Sequence, residues 1–481
     1  MATPLEELRK IRLEKLEKIK KLGVDPYPAQ SKHQQTVAQA LKMMGKKVAV
    51  AGRIMAMRGH GGIQFFDLRD ESGKIQLVFK KDQLSAKSLK LIALLDIGDF
   101  LAAQGEVFKT QAGETSVQVA DFQLLTKSLR PLPSSWYELK DIEERFRRRY
   151  VDLIMNPVVR EMFVKKTKFW TAAREYLVEH GFLEVETPVL EAIPGGADAR
   201  PFMTHQQALD ADFYLRISLE LHLKRLIVGG YEKIFEIGRI FRNEGMDAEH
   251  LQDYTQMEFY WAYADYHNLM DFLEGFYKYM VKETTGNLIT VRNGRKIDWS
   301  KKWPKIDYRQ IFREKIKLDP LDANKEELFE KAKSLKLSPE KFLGKGRLID
   351  LIYKRVVRPT IINPSFLINL PVEVSPLAKR EVENPTLTQR VLVMAGGTEL
   401  GNGFSELNDP LDQQKRFEEQ QKLREAGDQE AQMYDRDFVE ALEYGMPPTA
   451  GFGLSERVFA FLMGKPMREC VFFPMMRSSK E

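Results

Sequence analysis

Five segments rich in Val, Ile and Phe lie between residues 46 and 125, and they limit the possible folds more than any other feature. Glycine or charged turns separate them, as expected of strands in a small β domain. The segments are residues 46–58, 63–69, 74–80, 100–109 and 115–125. A helical pattern at about residues 82–95 falls between the third and the fourth segment. Five strands with a helix in that gap predict an OB-fold barrel, which commonly binds oligonucleotides.

The segment before the barrel is a predicted helix. Leu8, Ile11, Leu16, Ile19 and Leu22 recur near helical spacing over residues 4–22, and Gly23 is a suitable end. Basic residues cover the rest of its surface; they are Arg9, Lys10, Arg12, Lys15, Lys18, Lys20 and Lys21. Two interpretations remain open for them: a solvated face on a packed helix and a contact with RNA.

The chain of 481 residues is long enough for two or three domains. Pro131 and Pro133 mark a linker after the barrel, and the remainder mixes helical and strand patterns in one large unit. The predicted organisation is a basic helix and lead-in at 1–44, an OB-fold domain at 45–130, a linker at 131–150 and an α/β unit at 151–481. A Lys-rich helical insertion is predicted at about residues 306–358 of that unit.

Composition excludes several classes of protein. Cys470 is the only cysteine, so an intrachain disulfide and a cysteine-based zinc site are excluded. No apolar run is long enough to span a membrane, and the N-terminus has no apolar signal-peptide core, so we expect a cytoplasmic protein without a membrane partner. The formal charge of +5 is compatible with a polyanionic partner but does not show one.

Adjacent glycines follow a helix and a strand in the middle of the chain. Residues 169–177 carry an apolar helical stripe that ends at Gly181, and residues 182–188 have the pattern of a strand closed by proline. Gly195 and Gly196 come soon afterwards, and two adjacent glycines let a ligand approach the backbone closely. Core packing and an ordinary tight turn are the alternative explanations.

Arginine and acidic residues alternate in a second segment, residues 241–260. Arg242 stands two residues before Glu244, which predicts that both lie on one face of a strand. His250 and an alternating run at 253–260 follow after a short loop. An antiparallel pair of this kind could present Arg242 to a phosphate, which arginine binds through two nitrogens. A surface ladder of salt bridges on a hairpin is the alternative.

Two glycine-rich segments lie near the C-terminus. Residues 396–406 combine four glycines with Glu399, Asn402 and Glu406, and carboxylates beside closely approachable backbone suit a metal or a cationic ligand. Residues 451–457, Gly-Phe-Gly-Leu-Ser-Glu-Arg, precede an apolar helix at 458–463. So short a Gly-x-Gly is common in turns and indicates little alone. The sequence contains neither a Walker A loop nor a Rossmann fingerprint.

Together these four segments resemble the class II aminoacyl-tRNA synthetases, and most closely the bacterial-type lysyl enzymes, from about residue 45 to the C-terminus. Residues 182–188, 241–263 and 451–457 are similar to motifs 1, 2 and 3 of that class. Further matches to lysyl enzymes are residues 48–53, 125–133, 144–153 and 373–379. The resemblance implies an α+β protein, with an OB-fold β-barrel that binds the anticodon and a catalytic domain built on an antiparallel sheet flanked by helices. It also implies activation of L-lysine with ATP, transfer to tRNA(Lys), Mg²⁺ as cofactor and a homodimer formed through motif 1.

Matching positions assign the catalytic and ATP-binding roles. Arg242 corresponds to the motif 2 arginine, which binds the α-phosphate and the amino-acid carboxylate. Arg457 corresponds to the motif 3 arginine, which covers the adenine and touches the γ-phosphate. The other implied ATP-site residues are Glu244, His250 and Tyr254, the last as the ring that stacks on adenine. Glu399 matches a magnesium ligand.

The resemblance also implies a lysine pocket and an anticodon surface. The implied pocket comprises Gly196, Glu220, Arg242, Glu258, Tyr260, Asn402, Phe404 and Glu406. A buried ammonium requires negative charge around it, and the same carboxylates would repel the aspartate of a sister synthetase. The implied anticodon residues are Arg58, Phe65, Gln76 and Glu114, with Phe65 stacking on a base. One of Phe65 and Phe66 must face the barrel core, and the resemblance implies that Phe65 faces outward.

Three departures from the family pattern keep other functions open. Leu392 stands where relatives usually hold a second acidic magnesium ligand, so another carboxylate substitutes or fewer ions bind. Motif 3 is one residue shorter than usual, and the motif 2 loop has Leu251-Gln-Asp-Tyr254 where Asn-Pro-Glu-Phe is common. A nucleic-acid-binding protein with an inactive synthetase core is one alternative. A paralogue that modifies a protein is another, although such paralogues typically lack the OB domain.

Overall fold

The computed structural model describes residues 4–133, 141–245, 250–340, 343–425, 427 and 431–477. Residues 134–140 of the predicted linker and residues 246–249 of the motif 2 segment lie outside this part of the chain. The chain divides into two compact units, Met1–Asp141 and Ile142–Glu481.

The first unit contains a closed five-stranded barrel. Its strands are β1 (Lys47–His60), β2 (Ile63–Arg69), β3 (Lys74–Lys80), β4 (Phe100–Lys109) and β5 (Thr115–Thr126). They close in the order β1-β2-β3-β5-β4. Three helices accompany them: α1 (Pro4–Lys21), α2 (Val37–Ala40) and α3 (Ala86–Ile92). The helix between β3 and β4 and the barrel closure confirm the predicted OB-fold.

The prediction of which residues of α1 are packed is partly wrong. Leu8 and Ile11, which were expected to pack, are 44% and 49% exposed, whereas Ile19 is fully buried. Arg12 is buried instead, because its guanidinium donates to the carbonyls of Ile97 at 2.9 Å and Ser128 at 3.1 Å. The basic residues of this helix are therefore divided between contacts to the barrel and solvent.

The second unit is built on one large sheet with two small ones. Its strands are β6 (Leu183–Glu184), β7 (Leu190–Glu191), β8 (Met203–Gln206), β9 (Ala211–Leu215), β10 (Lys233–Phe241), β11 (Asp253–Ala262), β12 (Ile289–Arg292), β13 (Arg295–Asp298), β14 (Lys305–Asp307), β15 (Ser365–Pro371), β16 (Leu387–Ala395), β17 (Thr398–Ser405) and β18 (Thr449–Ser455). The large sheet has the order β14-β15-β16-β17-β18-β11-β10-β6. Its β10–β6 and β14–β15 pairs are parallel, and its other pairs are antiparallel.

Helices flank this sheet and complete the α+β fold, which confirms the predicted class. They are α4 (Ile142–Arg147), α5 (Arg149–Met155), α6 (Pro157–Glu179), α7 (Glu220–Val228), α8 (Tyr266–Thr285), α9 (Tyr308–Ile316), α10 (Lys325–Ser334), α11 (Lys345–Ile352), α12 (Pro410–Glu425), α13 (Arg436–Glu443) and α14 (Glu456–Met463). No helix in the described part of the chain is long and apolar enough to cross a membrane.

The two faces of the large sheet differ. Gly401 and Gly403 of β17 face Tyr277 and Leu269 of α8, so the odd-numbered residues at this end of the strand pack against that helix. The even-numbered residues point to the opposite face. Near the edge of the sheet, α9 to α11 cover that second face and pack on Leu392 of β16. Its centre contains the candidate site.

Two strand predictions in this unit are wrong. The strand expected at 182–188 is limited to β6, because Leu183 and Glu184 pair with β10 and the last backbone bond to that strand is from the N–H of Val185 to Phe235 O at 2.9 Å. Arg242 and Glu244 do not lie on a strand, since β10 ends at Phe241. The backbone N–H of Arg242 still donates to Gln252 O at 2.8 Å, whereas that of Asn243 donates to Arg200 O at 2.7 Å. The alternating pattern of residues therefore continues past the end of the strand at Phe241.

Candidate active site

The floor of the candidate site is formed by two rows of residues across β11, β18 and β17. Glu258, Gly453 and Asn402 are paired neighbours in one row, and Tyr260, Gly451 and Phe404 in the next. Residues paired in this way share a face of the sheet. Glycine on the middle strand leaves the floor open, because a Cβ at Gly451 would collide with Tyr260 and Glu406. The two outer strands lie about 10 Å apart, wide enough to hold a ligand between their side chains.

Three buried carboxylates converge at one end of this floor, and we call them the acidic pocket: Glu220 of α7, Glu258 of β11 and Glu406 just beyond β17. Each is at most 6% exposed. Glu258 Oε1 accepts hydrogen bonds from Ser218 Oγ at 2.8 Å and from the N–H of Leu219 at 3.1 Å. Its Oε2 accepts one from the Tyr260 hydroxyl at 3.0 Å. The pocket is thus strongly acidic, and Glu258 is already held in position.

The other two carboxylates share a buried cation, Lys224 of α7. Its Nζ lies 2.5 Å from Glu220 Oε1 and also contacts Glu406 Oε2. Glu406 Oε1 is buried and has no hydrogen-bond partner among the described residues. Burial raises the pKa of Glu220 to about 7 and that of Glu406 well above its usual range, although Lys224 lowers both. The acidic pocket therefore favours a further positive charge.

Four other predicted lysine-site residues, Gly196, Tyr260, Asn402 and Phe404, lie around the acidic pocket, whereas Arg242 lies at the other end of the floor. Gly196 has a φ of +83°, and a Cβ on it would lie 2.9 Å from Cβ of Glu220, so only glycine fits there. The ring of Phe404 lies 5.4 Å from Lys224 Nζ. Asn402 Oδ1 accepts a hydrogen bond of 2.8 Å from Arg390 Nε. Burial next to three carboxylates raises the pKa of Tyr260 well above its usual value, so the phenol stays neutral.

Two arginines and a tyrosine gather at the other end of the floor. Tyr254 of β11 is 9% exposed, and the guanidinium of Arg242 lies 5.8 Å from its ring centroid. Ser455, two residues before Arg457, pairs with Gln256, two residues after Tyr254; burial raises the pKa of Tyr254, and the positive charges of Arg242 and Arg457 oppose the rise. The negative charge of Glu244 also acts on this phenol. Four of the five predicted ATP-site residues are therefore neighbours.

Both arginines have unused donors. Arg242 Nε donates to Ile217 O at 3.2 Å, and its two terminal nitrogens have no hydrogen-bond partner within the described residues. Arg457 Nε is buried and also lacks a partner there. A buried donor is normally paired, so the unpaired Nε of Arg457, together with the half-buried guanidinium of Arg242, suits an anion that would accept from both groups. His250, the fifth predicted residue, is half-buried in the loop before β11.

The shortened motif 3 is built without a bulge. Strand β18 pairs continuously with β11 from Thr449 to Ser455. Ser455 then caps α14, since its side chain accepts from the N–H of Arg457 at 3.3 Å. Arg457 is thus the second residue of the helix that follows the strand directly.

Glu399 lies on the same face of the sheet as the site. A bulge between β16 and β17 pairs Glu399 with Met394, which is two residues from Leu392 and shares its face. Leu392 itself is 2% exposed and packs with the helical insertion. No group of three or more potential ligands for a metal occurs among the described residues. Within the described residues, Glu399 is thus a carboxylate on this face without a protein-only metal cage around it.

Lys224 and Arg390 are charged residues of the site that the sequence analysis missed. A signal for Lys224 was present, because it stands four residues after Glu220 on a helix and so projects from the same face. Arg390 faces Phe404 across the β16–β17 pair. That pairing depends on the sheet order, which the local sequence pattern does not contain.

The predicted anticodon residues lie together on the barrel of the first unit. Arg58 and Phe65 are directly paired across β1 and β2, and Gln76 is paired with Asp67 two residues further along β2. Gln76 Nε2 donates to Glu114 Oε2 at 2.9 Å. Phe66 fills the core at 1% exposure, and Phe65 is half-buried on the other side of the strand.

Comparisons with known proteins agree with this architecture. Residues 141–477 match the family model of class II tRNA synthetases (D, K and N), and residues 48–125 match that of the OB-fold nucleic acid binding domain. A lysine–tRNA ligase of Thermoanaerobacter sp. (strain X514) is 45% identical over 99% of this chain and 97% of its own length. Lysine–tRNA ligases of Carboxydothermus hydrogenoformans and Moorella thermoacetica are 45% and 44% identical, covering 98% and 99% of both chains, respectively.

Proposed function

The chain belongs to the lysine–tRNA ligases of class II, which activate lysine with ATP and transfer it to tRNA, and we propose that both substrates of the activation step bind along β11. Tyr254 and Tyr260 lie on one face of this strand, six residues and thus about 20 Å apart. The arginine-rich end near Tyr254 suits phosphates, and the acidic pocket near Tyr260 suits an ammonium. A lysyl-adenylate carries these charges at opposite ends.

The observation that supports the lysine site most directly is Glu406 Oε1, a buried carboxylate oxygen without a hydrogen-bond partner among the described residues. An ammonium donor placed there would restore the missing bond and neutralise charge. Phe404 would pack along the alkyl chain, and Gly196 would leave room for the α-amino group. Lysine-dependent exchange of pyrophosphate into ATP tests the proposal, because it reports binding and activation without tRNA.

The chemistry of activation requires positioning and charge stabilisation. The lysine carboxylate attacks the α-phosphorus, a new P–O bond forms, and pyrophosphate leaves with the electron pair of the broken bond. Arg242 and Arg457 would donate to the phosphates and the lysine carboxylate, where negative charge accumulates in the transition state. No general base is needed, since the attacking carboxylate is already ionised. In the second step the terminal hydroxyl of tRNA attacks the carbonyl of the adenylate, an ester bond to lysine forms, AMP leaves with the electron pair of the broken C–O bond, and the hydroxyl proton is released.

The residues present fit Mg²⁺ that arrives with ATP. Glu399 supplies one hard oxygen ligand, and Mg²⁺ characteristically combines one or two carboxylates with substrate phosphates and water. Leu392 offers no second ligand, so the phosphates would provide more of the coordination. When bound, the ion would neutralise charge on the phosphates. Glu244 and His250 would line the same site.

For the first unit, we propose that Phe65 stacks on an anticodon base, with Arg58, Gln76 and Glu114 as its hydrogen-bonding neighbours. Replacing Phe65 by alanine should raise KM for tRNA in aminoacylation about tenfold, because one stacked base contributes about 1–3 kcal/mol. Lysine-dependent pyrophosphate exchange should be unchanged, since it does not involve tRNA. Phe100→Ala is the matched control, as Phe100 is half-buried on the same barrel beside Arg53. An unchanged KM for tRNA in Phe65→Ala would contradict the assignment.

A homodimer and a cytoplasmic location complete the proposal. Apolar side chains remain exposed along α6 and the segment after it; they include Val158, Val164, Val178, Leu183, Val189, Leu190 and Ile193. Exposed apolar residues gathered in this way suit a subunit interface. Sedimentation of a fully active monomer would contradict the dimer. The location is proposed because protein synthesis, which uses the aminoacylated tRNA, takes place in the cytoplasm.

A further inference from the structure

Lys224 occupies the acidic pocket although no step of the proposed reaction uses it. Its side chain is fully buried. Its ammonium contacts the carboxylates of both Glu220 and Glu406. Burying an ammonium is costly, and a single surface i,i+4 pair contributes too little to explain it. The position of this cation inside a ligand pocket suggests a role in ligand binding.

The charges that face the pocket nearly balance. Three carboxylates enter from α7, β11 and the end of β17, and two cations oppose them: Lys224 from α7 and Arg390 from β16. From α13 only the ring of Phe438 faces Lys224, at 5.9 Å. The acids Asp435 and Asp437 of the same helix region pair with Arg225 instead. With all three carboxylates ionised, the pocket has one negative charge in excess, which one substrate ammonium would neutralise.

We propose that Lys224 is a positioning residue that sets the charge of the acidic pocket, so that the pocket accepts one further ammonium group; this rests on the proposed lysine site. It acts through Glu220 and Glu406, which it bridges. The bridge also fixes Glu406 so that its unpaired Oε1 remains available to the substrate. Lys224 thus contributes to the choice of a cationic amino acid without touching the reacting atoms.

The sign of the pH dependence follows from the directions of the pKa shifts. Burial raises the pKa values of Glu220 and Glu406, and the charge of Lys224 lowers them. A substrate ammonium binds the ionised form, so KM for lysine should fall as the pH rises through these pKa values. Without Lys224 both pKa values rise further, and the fall in KM should occur at higher pH.

Lys224→Met tests the inference in the full-length protein. We expect KM for lysine in pyrophosphate exchange at pH 7 to rise about tenfold or more. The midpoint of the pH profile of KM should move up by about one unit, because a shift of one pKa unit corresponds to a tenfold change in affinity. The value of kcat at saturating lysine should change much less. Lys278→Met is the matched control, because Lys278 forms an i,i+4 pair with Glu274 on α8 at 2.8 Å.

Superimposable pH profiles of KM for the wild type and Lys224→Met would overturn the inference. So would a loss of kcat at every pH with KM unchanged, since this indicates a structural role. If Lys224→Met is unstable, the same measurements are made on Lys224→Gln. If neither variant folds even with saturating lysine, the role of Lys224 is in folding alone and the inference is wrong. An unchanged KM for lysine in Glu406→Gln would instead remove the proposed lysine site itself, whatever Lys224 does.

Discussion

Replacing Arg242 by alanine is expected to lower kcat/KM for lysine-dependent pyrophosphate exchange by about 10³-fold, the scale seen when a donor to a developing negative charge is removed. The guanidinium is fixed through Nε to Ile217 O, while its terminal nitrogens have no partner in the described structure. Removing this side chain should therefore destabilise the transition state of the reaction more than it lowers the free energy of unfolding. The measurement is steady-state exchange at saturating and subsaturating ATP.

A control variant separates the loss of this contact from the loss of positive charge. Arg309 belongs to the helical insertion and pairs with Asp319 and Asp322. Arg309→Ala removes the same charge from the chain, and exchange should stay close to the wild-type rate. Wild-type exchange in Arg242→Ala, with an unchanged KM for ATP, would show that the arginine-rich end of the floor does not bind phosphate.

Glu406→Gln should raise KM for lysine by about 100-fold with a much smaller effect on KM for ATP. The change removes a charge that faces both Lys224 and the proposed ammonium, and breaking a buried pair costs about 3 kcal/mol or more. Exchange measured at a series of lysine concentrations gives KM directly. A thermal melt of the same sample shows whether the variant is folded.

Glu274→Gln is the appropriate comparison for that variant. Glu274 is also buried at 8% exposure and also pairs with a lysine four residues away, but it lies on α8 outside the site. Its substitution should leave KM for lysine unchanged. If both variants raised KM equally, the effect would be a general consequence of losing a buried carboxylate.

The sequence predicted the five barrel strands and many residues that lie together in the candidate site, but it could not predict where every strand ends. Alternation identified β11 at residues 253–260 correctly, yet it placed Arg242 and Glu244 on a strand, whereas β10 ends at Phe241. Beyond Phe241 the backbone N–H of Asn243 bonds to Arg200 O, a partner remote in sequence that the local pattern does not indicate. Glu399 reaches the face of the site only through a bulge, a feature that local pattern does not reveal.

The charge balance of the pocket also escaped sequence reasoning. The carboxylates were identified by resemblance, whereas the cations that face them were not. The sequence analysis did not single out Lys224, whose burial follows from the packing of α7 beside β11 and the end of β17. Arg390 reaches the pocket because β16 lies next to β17 in the sheet. Such neighbours are set by topology, so the structure was needed to count the charges.

The most direct test of a lysine-specific activation site is pyrophosphate exchange by the purified wild-type protein with lysine, aspartate and asparagine supplied separately. The acidic pocket predicts exchange with lysine alone, because only lysine brings the positive charge that Glu406 Oε1 requires. Exchange with aspartate or asparagine would contradict the assignment of the pocket. No exchange with any of the three would favour a nucleic-acid-binding protein with an inactive core. The first changes to test would then be an acidic residue at Leu392 and a motif 3 of the usual length.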